Sequence, residues 1–323
     1  MSTRDRWLMA ICFLAIHIIW GSTYLAIHYA VETIPPLIVA GLRHVIGGAA
    51  LFAWCWSRGH RPTAEQWRTS IILGALFFLI GHGALHWAEL FVPTGVAALL
   101  VATEPVWVAA LASMTPTGSK LSRAGIAGLI IGIAAVALLV RQPQLGIREF
   151  FGCVAIVGGA FSWSVGMIYS RSAPLHPFAM MSAAMSLLCG GFLLLGAAVI
   201  NGSVAHFRVA AVSIQSVEGL AYLAIFGSLT FAAYFWLLAR ISPVLIATHA
   251  YSNPIIAVIL GAAIAGEQIT PRIFAAAAAI PISILLIKVG SRASEAESEP
   301  EYRATIVRDS RLMPKVSACR GRT

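Results

Sequence analysis

Arg43, His82, His86, Glu89, Glu104 and His249 are ionisable side chains set in stretches of otherwise apolar sequence. Such groups face a cavity or a partner, because leaving one in hydrocarbon costs at least about 2.5–3.5 kcal/mol. Glu104 precedes Pro105, and a proline leaves a carbonyl one turn earlier without its helical donor. A carboxylate at that kink can bind a substrate amine, carry a proton, or act as a structural partner of Arg43. Arg43 is always charged and can hold a substrate carboxylate or pair with Glu104 or Glu32. Asn253-Pro254 repeats the Glu104-Pro105 pattern later in the chain, and His249 stands one turn before Asn253 on the same helical face.

His82, His86 and Glu89 share one helical face, a spacing also found among metal ligands. A zinc site needs three or four ligands closing around the ion, so the expectation is a polar pathway wall at His82 and His86, with no metal and no cofactor. Glu89 lies four residues before Pro93, near a membrane interface where water would reach it. The aromatic candidates are Trp20, Tyr24, Trp87, Trp107, Trp163, Tyr234 and Tyr251. Most membrane Trp and Tyr are interfacial anchors. Trp20 and Trp163 lie away from the ends of their apolar stretches and are favoured for a ligand cavity, where rings offer apolar and cation–π contact.

The elements that carry these groups are membrane helices. Of 323 residues, 59% are hydrophobic and 11% charged, against roughly 25% charged in a soluble domain. A mean hydropathy of +0.84 excludes a soluble enzyme. The net charge of +9 does not indicate nucleic-acid binding, since the basic residues sit in short connectors and a tail. The five cysteines (Cys12, Cys55, Cys153, Cys189, Cys319) form no CxxC pair, which leaves them as small apolar fillers.

Ten segments reach the roughly 20 apolar residues that a span needs. They fall near Trp7–Val31, Leu37–Ser57, Ser70–Phe91, Gly95–Thr115, Ala124–Val140, Phe150–Ser170, Phe178–Ile200, Val217–Leu238, Val244–Ala265 and Ile273–Val289. The first could be a signal peptide, but no cleavage pattern ends it and Trp20-Gly21-Ser22-Thr23-Tyr24 continues it. Arg4, Arg6, Arg58, Arg61, Arg68, Lys120, Arg123, Arg171 and Arg240 fall in connectors on the N-terminal side, against Arg141, Arg148, Arg208 and Arg272 on the other. That bias puts both termini in the cytoplasm. Residues 290–323 read as a disordered cytoplasmic tail.

The two halves resemble each other. Trp20 matches Trp163, Gly47-Gly48 matches Gly190-Gly191, Glu104-Pro105 matches Asn253-Pro254, and Gly118–Ser122 matches Gly266–Thr270, all at nearly constant separation. An odd number of spans per copy inverts the second copy in the membrane, the arrangement of many secondary transporters. Gly125, Gly128 and Gly132 include a small-residue spacing suited to close helix packing, within the chain or in a dimer.

Several pieces resemble the EamA-type drug/metabolite transporter family: Trp20–Tyr24, Ile34-Pro35-Pro36, Ala40-Gly41-Leu42-Arg43, Trp87-Ala88-Glu89, Val92–Gly95, Ala97–Leu100 and Thr103-Glu104-Pro105. The likeness runs from about Trp7 to Val289 and is sharper in the first half. It implies ten spans in two repeats, a bacterial inner-membrane location, and movement of metabolites, amino acids or toxic compounds, commonly outward.

The expectation is therefore an all-α, multi-pass membrane protein of ten helices in two inverted five-helix repeats, 1–145 and 146–289, followed by the tail. Its partners would be a small-molecule substrate and membrane lipid, with no nucleic acid, as a monomer or homodimer. Access would alternate around a midplane cavity lined by the first, third, fourth, sixth, eighth and ninth spans, outward transport being expected. Pathway residues would be Trp20, Tyr24, Arg43, His82, His86, Glu104, Trp163, Tyr234, His249 and Asn253. Glu104 and the histidines permit proton coupling, and simple facilitation fits equally. The competing readings are a lipid flippase or scramblase, a membrane-embedded enzyme built on His82, His86 and Glu89, and, weakest, a sensor. The sequence has no Walker A motif for an ATP-driven pump.

Overall fold

The computed structural model describes residues 3–115, 122–140, 146–241, 246, 249–283, 285–287 and 289. The expected tail 290–323, Lys120, Arg141, the Ser242-Pro243 turn and the Tyr251 side chain lie outside the described residues. Among the described residues the regular structure is helical and contains no strand.

The first helix, α1 (Thr3–Val31), is 29 residues long, enough at about 1.5 Å per residue to exceed a hydrocarbon core of about 30 Å. Pro35 and Pro36 then open α2 (Pro36–Ser57), where the preset proline φ suits a first helical turn. Gly59, at φ +87°, turns the chain out of it. The long third helix α3 (Ala64–Ala88) starts with a reciprocal cap: Gln66 N donates to Thr63 Oγ1 at 3.3 Å and Thr63 N to Gln66 Oε1 at 3.0 Å. Next come α4 (Thr94–Ser113) and α5 (Arg123–Val140).

The second half comprises α6 (Ile147–Ser170), α7 (Ala179–Ile200), α8 (Ile214–Leu238), α9 (His249–Ile264) and α10 (Pro271–Ile287). Seven of these helices, α1–α4 and α6–α8, are long and apolar enough to cross a membrane; the other three contain shorter apolar runs. Helix α3 also begins earlier than the apolar pattern suggests, because Ala64–Thr69 is polar but capped.

Irregular backbone occurs inside the helices. Both α3 and α8 contain a π-helical stretch, Gly74–His82 and Leu223–Gly227 respectively. Neighbouring hydroxyls bond carbonyls there: Ser162 Oγ donates to Leu76 O at 2.9 Å and Thr230 Oγ1 to Phe226 O at 2.7 Å. The fourth span, expected to kink at Glu104-Pro105, breaks after Val101 and restarts at Glu104, with Pro105 in the first turn of the restart. Proline has no N–H for the carbonyl one turn back, so the break falls where the sequence places it.

Helices α2 and α7 meet along glycines. A Cβ on Gly191 would stand 2.8 Å from Val45 N, and one on Gly48 2.9 Å from Leu188 N. Only hydrogen side chains allow backbones this close. Helix α1 packs on α8 and α9, while α6 packs on α3 and α4. Gly128 and Gly132 are used within the chain: α10 lies against them, and Ser283 Oγ donates to Gly128 O at 2.6 Å.

Candidate functional site

The break in α4, the segment of α9 around Pro254 and the π stretch of α3 converge on one cavity. Its empty space is about 750 Å³, open mouth included, within the range of small-molecule sites. Helix α1 contributes Trp20, Thr23, Tyr24 and Ile27, a single face repeating every three to four residues. Arg43 comes from α2, and Gly81, His82 and Leu85 from α3. Ala98, Val101, Ala102 and Glu104 come from α4, and Ile156, Gly159, Ala160 and Trp163 from α6. His249, Asn253 and Pro254 complete the wall from α9.

Eight of the ten expected pathway residues therefore line this cavity: Trp20, Tyr24, Arg43, His82, Glu104, Trp163, His249 and Asn253. Tyr234 and His86 stand behind the wall. The Tyr234 ring packs 5.2 Å from that of Trp20 and 6.0 Å from that of Trp163. The eighth helix, expected in the lining, instead backs it with Tyr234 and Phe231, and α2 takes a lining place through Arg43.

The aromatic wall joins the two halves. Trp20 and Trp163 meet edge to face at 6.1 Å and 88°, a favoured geometry for rings. His249 lies 5.0 Å from Trp20, and His82 stacks on Trp163 at 5.3 Å and 19°. Of the remaining aromatic candidates, Trp87 is half exposed against Phe91, and Trp107 packs on Phe161 away from the cavity.

The polar side differs from expectation at Arg43. No carboxylate lies within 4.0 Å of its guanidinium among the described residues, and Glu32 instead approaches His28 at 4.0 Å. Arg43 Nη1 reaches His86 Nε2 at 3.4 Å. His86 Nδ1 donates to His82 O at 2.7 Å, since a carbonyl can only accept. His44 is a member the spacing argument missed: its Nε2 lies 2.9 Å from His82 Nδ1. It follows Arg43 directly in the sequence, so a buried histidine beside a buried arginine was the available signal.

Glu104 is 4% exposed, and its Oε1 lacks a hydrogen-bond partner within the protein. The Trp20 Nε1 donor is likewise unused. Buried polar atoms are nearly always satisfied, so these two are available to a bound molecule or water. Asn253 is more structural: with its amide oriented to satisfy the neighbours, its nitrogen donates to His17 O at 2.9 Å, Ile16 O at 3.3 Å and His249 O at 3.2 Å. The bonds to Ile16 and His17 tie α9 to α1 beside Pro254. Glu89, expected to be hydrated, is buried. Among the described residues no group of three or more His, Cys, Asp or Glu side chains is arranged to hold a metal ion.

A helical, apolar chain with an open cavity that sets a few buried polar groups among apolar and aromatic walls is the form of a multi-pass membrane carrier. The chain matches the EamA-like transporter family over residues 7–141 and again over 150–289, and it belongs to that family. It is thus a transporter of the drug/metabolite type and not an enzyme. It is 33% identical to the uncharacterized inner membrane transporter YedA of Escherichia coli K12, over 85% of this chain and 89% of that one. The probable amino-acid metabolite efflux pump of Salmonella typhimurium is 24% identical, over 90% of this chain and 97% of its own length. A solved crystal structure superposes with a TM-score of 0.63 at 20% identity, covering 88% of this chain and 98% of the other; that likeness concerns the fold.

Proposed function

We propose that the protein is a secondary transporter of the bacterial inner membrane that exports small metabolites, amino acids or drug-like compounds by alternating access. The observation that carries the reading is the cavity itself, walled by both halves and centred on the repeat-matched Trp20 and Trp163. The reading takes ten spans in two inverted repeats, counting α5, α9 and α10 with the seven longer helices. The two successive family matches support the duplication. So do the exchanged packing partners, α1 on α8 and α9 against α6 on α3 and α4, and the π stretches in α3 and α8.

Cytoplasmic termini are supported by Trp54, Trp56 and Trp236, which carry Arg58, Arg61 and Arg240 over their rings at 5.3, 3.8 and 4.1 Å. Aromatic rings sit at either interface, and the arginines over these ones favour the cytoplasmic side. A monomer suffices for this reading, since Gly128 and Gly132 of α5 are occupied by α10. Glu104, His82 and His249 are titratable groups on the cavity wall through which a proton could be exchanged for substrate.

The test is efflux from cells expressing wild type or Glu104→Gln at equal membrane abundance, preloaded with labelled amino acids and drug-like compounds. Faster wild-type efflux of one compound, lost in the variant, is the expected result. Efflux retained by the variant keeps the transporter and reduces Glu104 to a structural group. No efflux above empty cells across the panel refutes export of these classes and turns attention to lipid-protection assays for flippase activity.

A further inference from the structure

The arginine on the cavity wall is held by an imidazole where a carboxylate would ordinarily stand. His86 Nδ1 gives its proton to His82 O at 2.7 Å, so its Nε2, 3.4 Å from Arg43 Nη1, can face that donor only as a lone pair. A neutral ring therefore orients the guanidinium without cancelling its charge. Arg43 is 2% exposed, lines the cavity, and keeps Nε without a partner. A buried charge without its counter-ion is costly unless a bound group completes it.

Resting on the transport reading above, we propose that Arg43 is the anion subsite of the cavity and that His86 is its positioning residue. The substrate class is a carboxylate-bearing molecule with an apolar, ring-sized body. The guanidinium fork matches a carboxylate geometrically, and Trp20, Trp163, Ile27 and Ile156 supply the apolar walls. Glu104 lines the same cavity from α4. His86 does not touch the substrate; it acts through Arg43.

The test uses the purified full chain and three matched probes: 3-phenylpropionate, its amide 3-phenylpropanamide, and 3-phenylpropylamine. Each is titrated while thermal stabilisation is read, since a ligand bound to the folded state raises its stability by mass action. The carboxylate is expected to stabilise the wild type, and the amide and amine to do so roughly ten- to hundredfold more weakly. Arg43→Gln should erase the carboxylate's advantage over the amide. His86→Leu should weaken carboxylate binding, and His86→Gln, which keeps an acceptor for Arg43 and a donor for His82 O, should restore part of it. The wild-type ranking decides the matter even where a variant does not fold.

Equal or stronger stabilisation by the amine, a carboxylate preference that survives in folded Arg43→Gln, or no stabilisation by the carboxylate would each overturn the inference. Export of a cationic or neutral compound without carboxylate binding sinks the anion subsite and leaves transport standing. Carboxylate binding without any efflux does the reverse.

Discussion

The residue before α4 is Pro93, which offers no side-chain acceptor, so the first N–H groups of that helix need one from elsewhere. Glu267, from the connector between α9 and α10, supplies it: Thr94 N donates to Oε1 at 2.6 Å and Gly95 N to Oε2 at 3.1 Å. Losing an N-cap costs about 0.5–2 kcal/mol, and a bond to a charged group contributes about 1.5–3 kcal/mol. Glu267 is only half-buried, so solvent discounts the pair, and Glu267→Ala should lose about 2 kcal/mol. Glu267→Gln keeps one acceptor oxygen and should lose about 1 kcal/mol.

Gly261 sharpens the test. A Cβ there would stand 2.6 Å from Glu267 Oε2, so Gly261→Ala pushes the carboxylate off its donors. With Glu267 already replaced by alanine, the obstruction is gone and the same change gains helix propensity, about 0.5–1 kcal/mol. Gly261→Ala should therefore destabilise the wild type and stabilise the Glu267→Ala protein. The assay is SDS-titrated unfolding in mixed micelles, read by tryptophan fluorescence on all four proteins. An effect of Gly261→Ala with the same sign in both backgrounds would refute the reasoning, as would a Glu267→Ala protein as stable as wild type.

The glycine seam predicts a contrast within one substitution type. Gly191→Ala places a methyl against Val45 N and Gly41 O, at 2.8 and 3.0 Å, and should cost about 1–3 kcal/mol; Gly196→Ala meets nothing within 4 Å and should be tolerated, both read as folded yield and unfolding midpoint. A pH effect is expected at the loop after α6. Burial chiefly holds the His176 imidazole below its ordinary value; the Phe178 backbone contact works the other way, and the nearby His60 lowers it again. Because the folded state takes this proton less readily than the unfolded chain, its stability is complete above about pH 6.5 and declines as pH falls below it. His176→Gln should flatten that decline in thermal midpoints, and an unchanged slope would dismiss the residue as a contributor.

How much of this was legible in advance varies by residue. Membrane character followed from composition, because no soluble surface can be made from 11% charged residues and 59% apolar ones. Glu104-Pro105 marked its own break, since a missing N–H acts locally whatever surrounds it, whereas α9 runs on through Pro254. Trp20 and Trp163 were identifiable by their repetition and their distance from the segment ends.

Which side chains meet was decided only in three dimensions. His44 and His82, Arg43 and His86, and Glu267 and the α4 terminus are pairs from different helices or connectors, and they depend on how each helix is rotated and how closely it approaches its neighbour. The π stretch Gly74–His82 also shifts the phase of α3, so a face projected at 3.6 residues per turn loses register where the histidines begin. Sequence by itself determined a chain of apolar helices with ionisable groups in the bilayer and proline breaks beside some of them, because these properties reside in single residues and their near neighbours. Only the tertiary structure decided that Arg43 faces an imidazole rather than Glu104, and that Tyr234 stands behind the cavity wall, because those outcomes depend on packing between segments far apart in the chain.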